Sequence, residues 1–128
     1  MNNEMKCPLR YLIDVLGGKW KLPIICTLAG DKPQRYSTIK RRLRDITNMM
    51  LSQSLKELEA SGLIHREQFN EVPPHVEYSL TERGKEAIPF LTEAAKWAIE
   101  DLNRNGMKIF CGECINIHLC DKMKYAIK

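Results

Sequence analysis

Five cysteines are the residues of this chain with the clearest capacity for chemistry. Three of them stand near the carboxyl end together with a histidine, as Cys111, Cys114, His118 and Cys120. Thiolate and imidazole are ligands that tetrahedral zinc prefers, although the last two residues are closer together than in common zinc fingers. Three interpretations stay open: a metal site, a redox pair at Cys111 and Cys114, or reduced thiols on a short helix. We therefore predict no obligatory cofactor, with zinc as the alternative.

Cys7 precedes Pro8 and lies beside Lys6, with Arg10 close by in sequence. A helix amino terminus and neighbouring cations both favour the thiolate, which is the reactive form of cysteine. Cys7 is therefore a candidate redox-sensing residue, and a small buried residue is the alternative. Cys26 lies within an apolar stretch, and we predict that it belongs to the core.

A second chemistry, the neutralisation of phosphate, is indicated by a run of basic residues. The chain carries only +4 overall, but no acidic residue interrupts positions 32–44. The basic residues of that stretch are Lys32, Arg35, Lys40, Arg41, Arg42 and Arg44. They predict a locally positive surface for a polyanion, with an ordinary solvated helix face as the alternative.

The elements that must position these groups follow from apolar spacing and from helix-capping residues. Helices are predicted to begin near Pro8, Trp20, Ser37 and Thr47, with Ser37 and Thr47 as N-caps. Alternating residues on either side of a loop at 70–74 predict a β-hairpin.

A single long helix is then expected to follow Thr81. Pro89 should bend this helix, and Asn105 and Gly106 should end it.

This order of elements predicts a winged helix-turn-helix, with the tight turn at Asp45. The fold class is mainly α with a small β-hairpin (α+β), and the long C-terminal helix offers an apolar face for dimerisation. Residues 1–103 are expected to form the DNA-binding and dimerisation domain, and residues 104–128 a cysteine-containing extension.

The fourth helix is the predicted recognition helix. Inward-facing Leu51, Leu55 and Leu58 would leave its polar side free to enter a major groove. Amide side chains there can donate and accept together, as adenine readout requires, while cations contact phosphates. The candidate DNA-binding residues are Lys40, Arg41, Arg42, Arg44, Asn48, Met49, Ser52, Gln53, Lys56, Arg66, Asn70 and His75.

Four stretches of the chain resemble the HxlR family of bacterial winged-helix regulators. They are Cys7-Pro8, Gly17-Gly18-Lys19-Trp20, LSQSLKELEASGLI at 51–64 and EVPPHVEYSLTERG at 71–84. The resemblance extends from Cys7 to Leu102, and Pro23 departs from the aliphatic residues expected there. It implies a homodimer, formed by the first and the long C-terminal helices, on a roughly palindromic operator. In some similar regulators a cysteine at the position of Cys7 senses oxidants or electrophiles.

Other classes of function are less well supported by the sequence. No nucleophile motif, P-loop, dinucleotide fingerprint or paired carboxylates are found, so we do not expect an enzyme. A winged-helix module that binds proteins is the alternative to DNA binding, and a metal-responsive regulator is the alternative to a redox-responsive one. The amino terminus lacks an apolar signal segment and no stretch is long enough to cross a bilayer, so we expect a cytoplasmic protein. The expected partners are double-stranded DNA, a second copy of the chain, and a small-molecule or oxidant signal.

Overall fold

The structure, a computed structural model, describes residues 7–30 and 32–107 of the 128-residue chain. Its elements in chain order are α1 (Pro8–Leu16), α2 (Lys21–Thr27), β1 (Gln34–Arg35), α3 (Tyr36–Arg42), α4 (Asn48–Ala60), β2 (Ile64–Phe69), β3 (His75–Leu80), α5 (Glu82–Glu86) and α6 (Ile88–Arg104). This is the predicted winged helix-turn-helix, with α3 and α4 as its two helices and β2–β3 as its wing.

The core lies where α2, α3 and α4 meet one face of the sheet. Ile24 and Ile25 of α2 pack there with Ile39 of α3, and all three are fully buried. The leucine stripe of α4 was predicted correctly, because Leu51, Leu55 and Leu58 are at most 2% exposed. Burial of each such side chain contributes on the order of 2 kcal/mol.

Capping groups fix both ends of α4. The Thr47 hydroxyl accepts a hydrogen bond from the backbone N–H of Met50 at 3.1 Å, which confirms Thr47 as the N-cap. Such a cap is worth about 1 kcal/mol relative to alanine. At the other end Gly62 has a φ of 76°, a conformation that favours glycine. The length and the rotation of α4 are therefore set by local sequence.

The sheet has three strands in the order β1-β3-β2, where the sequence predicted a two-stranded hairpin and a separate short extended piece at residues 35–37. The two-residue β1 pairs antiparallel with β3, Gln34 opposite Tyr78 and Arg35 opposite Glu77. This pairing also explains why the prediction of Ser37 as an N-cap is wrong. Arg35 is held extended as the N-cap residue, without a side-chain cap bond, and α3 begins directly after it.

The single long helix predicted after Thr81 is two helices, α5 and α6, which meet at Ala87. Pro89 suits the first turn of a new helix, since it has no N–H to donate and its ring would clash with the carbonyl four residues earlier in a continuous one. The Thr81 cap itself is confirmed by a 3.1 Å bond from the Gly84 N–H. Gly84 lies directly against the carbonyl of Leu63, where a side chain would not fit. The break thus lets α5 pack tightly at the base of the wing.

Across the described ranges, no helix combines the length and the apolarity needed to cross a membrane.

Candidate nucleic-acid interface

The outward side of α4 carries most of the predicted base-reading residues. Asn48, Met49, Gln53 and Lys56 are exposed, and Met49 keeps 78% of its surface. Ser52 is half-buried. Because the leucines occupy the opposite side, the helix presents amide, thioether and ammonium groups together along one accessible strip.

A tyrosine that the sequence analysis did not single out organises the start of this strip. The Tyr36 hydroxyl lies 3.1 Å from the backbone oxygen of Asn48, 3.2 Å from Asn48 Oδ1 and 3.2 Å from Ser52 Oγ. Having one proton, it donates to one of the Asn48 oxygens or to Ser52 at a time. Tyr36 therefore links the start of α3 to the first two turns of α4 and limits the orientations of Asn48 and Ser52. Nothing local in the sequence indicates this contact, which arises from the packing of the two helices.

Gln53 is held by an ionic contact between α2 and α4. Its side-chain nitrogen donates to Glu57 Oε1 at 3.3 Å, and the other oxygen of Glu57 pairs with Lys21 Nζ at 3.1 Å. The hydrogen bonds from Lys21 and then Gln53, with the charge of Lys21, hold the pKa of Glu57 below its ordinary value. Within residues 7–30 and 32–107 the side-chain oxygen of Gln53 takes no part in this contact, and it can accept from a base amino group.

The predicted phosphate-binding cations lie on α3 and in the turn that follows it. Arg41 and Arg44 are exposed, and Lys40 and Arg42 are half-buried. Arg44 occupies the left-handed region with a φ of 46°, which lets the chain reverse between α3 and α4. The helix-turn-helix corner is therefore formed by a residue that also carries a charge.

A cleft of about 360 Å³ separates α4 from the wing strands. Leu55 and Tyr78 provide apolar parts of its lining, while Lys56 and Arg66 bring two cations to it. Ser52 and Glu59 complete the lining. Asn70, the remaining wing residue predicted to contact DNA apart from His75, is exposed at the end of β2. The structure thus brings Ser52, Lys56 and Arg66 together.

His75 lies apart from these groups, and its side chain is only 14% exposed. Its ring stacks on Phe69 with the centroids 4.7 Å apart. Its Nε2 is 2.9 Å from Glu77 Oε2, and its Nδ1 is 3.9 Å from Glu71 Oε2. These contacts suit a residue that fixes the base of the wing loop better than one that reaches toward DNA.

Cys7 is exposed at the N-cap of α1. Hydrogen bonds from the backbone N–H groups of Arg10 and Leu9 lower the pKa of its thiol. The alternative of a buried Cys7 does not hold within the single chain. Cys26 is half-buried against the core.

The candidate metal ligands Cys111, Cys114, His118 and Cys120 lie outside the described residues. Among residues 7–30 and 32–107, no group of three or more histidine, cysteine or acidic side chains could hold a metal ion.

Large apolar side chains remain uncovered on α1 and α6. Leu9 and Ile13 are 69% and 65% exposed, Trp97 is 66% exposed, and Phe90, about two helical turns before Trp97, is 42% exposed. Of the nine residues of α1, only Leu16 is buried. These two helices therefore present apolar surface that residues 7–30 and 32–107 do not cover.

The chain was compared with known proteins. Residues 15–106 match the family model described as HxlR-like helix-turn-helix. An HTH-type transcriptional regulator of Halalkalibacterium halodurans, BH0655, is 43% identical over 103 residues, which cover 80% of this chain and 91% of that protein.

Among solved structures, the HTH-type transcriptional regulator ytcD superposes with a TM-score of 0.73 at 39% identity, covering 77% of this chain and 99% of that one. The redox regulator HypR in its oxidized form gives a TM-score of 0.68 at 40% identity, covering 73% and 96%. The family resemblance found in the sequence is confirmed. The chain belongs to the HxlR family of helix-turn-helix transcriptional regulators.

Proposed function

We propose that this regulator binds a palindromic operator as a homodimer and reads its sequence through α4. The observation that carries the proposal is the division of α4 into two sides. Leu51, Leu55 and Leu58 are buried, whereas Gln53 and Lys56 are exposed on the opposite side of the helix. A helix presented in this way fits a major groove with its amino-terminal half against the base edges.

The side chains fall into two groups by the contacts that they can make. Asn48, Ser52 and Gln53 carry both donors and acceptors and are proposed to read bases, with Met49 offering apolar contact to thymine methyl groups. Lys56, Arg66 and Asn70 are proposed to bind the backbone beside the wing. The cations proposed to bind backbone phosphates at the helix-turn-helix corner are Lys40, Arg41, Arg42 and Arg44. We assign His75 to wing packing, because of its stacking on Phe69 and its contacts with Glu71 and Glu77.

The homodimer is supported by the uncovered apolar side chains of α1 and α6. A nine-residue helix with a single buried residue is marginal without further packing. A partner that covers Leu9, Ile13, Phe90 and Trp97 would supply that packing. A two-fold dimer would also place two recognition helices about 34 Å apart, one turn of DNA, as a palindromic site requires.

Two substitutions separate base reading from phosphate binding. Gln53→Ala should weaken binding to the cognate site by about 1–3 kcal/mol per half-site and leave random DNA binding nearly unchanged. Arg41→Ala should weaken both alike and reduce the dependence of affinity on salt. Asn103→Ala and Lys85→Ala, exposed amide and cation changes elsewhere, are the matched controls.

Fluorescence anisotropy on cognate and random duplexes at two salt concentrations measures both effects, after selection of the cognate site from a random pool. An equal loss on the two duplexes for Gln53→Ala would refute the role of α4. The family consists of transcriptional regulators, and the polar side of α4 is exposed where it can contact nucleic acid. We therefore propose DNA binding rather than catalysis as the activity. Retention of a protein partner, with no affinity for any duplex, would favour the protein-binding alternative.

A second proposal concerns the signal, and exposed Cys7 with its lowered pKa supports it. HypR, one of the similar structures, is described as a redox regulator. We propose that oxidation or alkylation of the Cys7 thiolate changes operator affinity. Cys7→Ser should bind the operator like the untreated protein and should lose the response to diamide. Cys26→Ser is the control, and an unchanged diamide response in Cys7→Ser would contradict the proposal.

A further inference from the structure

A side-chain hydrogen bond joins α1 to α5 across 72 positions of the chain. The Arg83 guanidinium donates through Nη2 to the Tyr11 hydroxyl at 3.0 Å. Both side chains are exposed, and Tyr11 keeps 46% of its surface. The net contribution of such a bond to folding is small. A bond between two separate helices nevertheless restrains how they lie relative to each other.

Arg83 belongs to a helix that is fixed to the end of the recognition helix. Thr81, the N-cap of α5, donates from its hydroxyl to the Gly62 carbonyl at 2.6 Å and from its N–H to the Leu63 carbonyl at 3.1 Å. Gly84 lies directly against the same Leu63 carbonyl. The turn between α4 and β2 and the first turn of α5 therefore form one unit, and Arg83 reaches from this unit to α1.

The apolar contacts of α1 with the core lie along a single edge of this helix. Leu16 is buried, and Leu12 and Val15 pack partly against the core. Contact along one edge allows a helix to rotate slightly about its own axis unless a second contact restrains it. Tyr11 and Ile13 lie about 160° apart around the helix, on opposite flanks of that edge. The bond of Tyr11 therefore holds one flank of α1 on its own domain, while the flank of Ile13 is the one proposed to meet the partner.

We propose that Tyr11 and Arg83 are positioning residues that set the spacing of the two recognition helices in the dimer. The inference rests on the proposed function, in which α1 lies in the dimer interface and α4 enters the major groove. Because α1 meets the partner and α5 is fixed to the end of α4, the angle between α1 and α5 determines where each α4 lies relative to the two-fold axis. The hydrogen bond holds that angle, so the dimer favours one separation of the half-sites.

Operators with altered half-site spacing test this proposal. One base pair added or removed between the half-sites shifts them by about 3.4 Å and rotates them by about 35° relative to each other. A dimer that follows this change has to turn α1 against α5, which breaks the hydrogen bond. The spacing ratio, defined as the affinity for the selected operator divided by that for the altered one, should therefore be well above one for the parent protein.

Tyr11→Phe removes the acceptor and keeps the ring. A hydrogen bond is worth about a two- to tenfold change in an equilibrium, so the spacing ratio should fall by about that factor for each bond that the altered operator breaks. Discrimination between cognate and random half-sites should be unchanged, since the side chains of α4 are the same. A merely structural role would instead weaken binding to all operators alike and leave the spacing ratio at its parent value.

A double-mutant cycle assigns the effect to the contact itself. Tyr11→Phe, Arg83→Ala and the double variant should all show the same reduced spacing ratio, because each lacks the same bond. Lys85→Ala removes an exposed cation from the same short helix and is the control. It should keep the parent ratio, whatever the loss of charge does to the affinity for DNA in general.

Fluorescence anisotropy on the selected operator and its one-base-pair variants measures the ratio, and sedimentation checks that each variant is dimeric at the assay concentration. If the single variants keep the parent ratio, or if their effects add in the double variant, the inference fails and the proposed function stands. A dimeric parent that binds every spacing equally well would also overturn the inference. A parent that binds an isolated half-site as tightly as the full operator would instead refute the proposed dimer on its palindrome.

Discussion

Trp97→Ala is the most direct test of the proposed dimer. Trp97 keeps 66% of its surface in the single chain. A tryptophan side chain offers up to about 250 Å², so about 165 Å² is available for a partner to cover. At about 25 cal/mol per Å², burial of this area is worth about 4 kcal/mol per protomer as an upper limit. The alanine side chain would still bury part of that area, so the loss on substitution is smaller.

We therefore expect dimerisation to weaken at least about a hundredfold, a loss of about 3 kcal/mol, for Trp97→Ala. Sedimentation equilibrium over a wide concentration range measures the dissociation constant, and far-UV circular dichroism checks that the helices persist. Lys96→Ala is the matched control, because Lys96 is adjacent on α6 and its only partner among the described residues is Glu93, at 3.2 Å. A parent protein that sediments as a monomer, or a Trp97→Ala dimer as tight as the parent, would show that this face of α6 is not the interface.

Three further substitutions test local details of the helix-turn-helix. Arg44→Gly should leave the free energy of unfolding unchanged or raise it by up to about 1 kcal/mol, since φ is 46°, yet it should weaken DNA binding at low salt. Arg41→Gly, which places glycine inside α3, is the control and should destabilise the protein. If Arg44→Gly destabilised the protein by the same amount, there would be no backbone strain at Arg44 for glycine to relieve. Tyr36→Phe should cost at most about 1 kcal/mol of stability while reducing cognate-over-random discrimination, and undiminished discrimination would mean that its hydroxyl does not position Asn48 or Ser52. For Glu57, the lowered pKa means that its contribution is complete above its ordinary pKa of about 4.3 and is lost as pH falls through the lowered value. The stability difference between the parent and Glu57→Gln should therefore be constant near neutral pH and shrink in acid, and a difference independent of pH would exclude the Lys21 pair as its source.

The parts of the fold that the sequence predicted correctly are those that local residues determine. Leu51, Leu55 and Leu58 lie at helical spacing, and Thr47 is followed by the N–H group that it caps. The length of α4 and the side that it buries therefore follow from residues 47–62 alone. The hairpin was also predicted, because alternation and the proline-containing loop are local.

The errors came from interactions between distant residues or from competing local rules. β1 has two residues, too few to show alternation, and it exists because β3 offers an unpaired edge. The start of α3 depends on that pairing, so the capping preference of Ser37 could not predict where the helix begins. Pro89 was expected to bend a helix, whereas the structure starts a new helix at Ile88. Both outcomes are compatible with proline, and the packing of Gly84 on Leu63 favours the break.

The same distinction applies to the candidate interface. The exposed residues of α4 follow from the leucine stripe, whereas the contacts that restrain them do not. Tyr36 and Lys21 reach α4 from other helices, at separations of 12 and 36 residues from Asn48 and Glu57. Composition and periodicity do not contain that information. His75 is a further example, since the strand pattern does not contain its contacts with Phe69 and Glu77, and its role at DNA stays a prediction.

The position of α1 connects the two proposals on assembly and on sensing. Leu16 is the one buried residue of this helix, and Leu12 and Val15 pack partly against the core, so in the proposed dimer the partner subunit would cover the remaining apolar face. Cys7 caps the opposite end, where backbone N–H groups favour its thiolate. Oxidation or alkylation there would change the charge and size of a group on a helix that we propose to lie in the dimer interface. In the proposed dimer, α4 of each protomer would meet successive major grooves, so a small change in how the two copies of α1 pack would alter the spacing of the recognition helices. A thiol on α4 would instead block DNA directly, so the location of Cys7 predicts that its modification acts through dimer geometry rather than through contact with the operator.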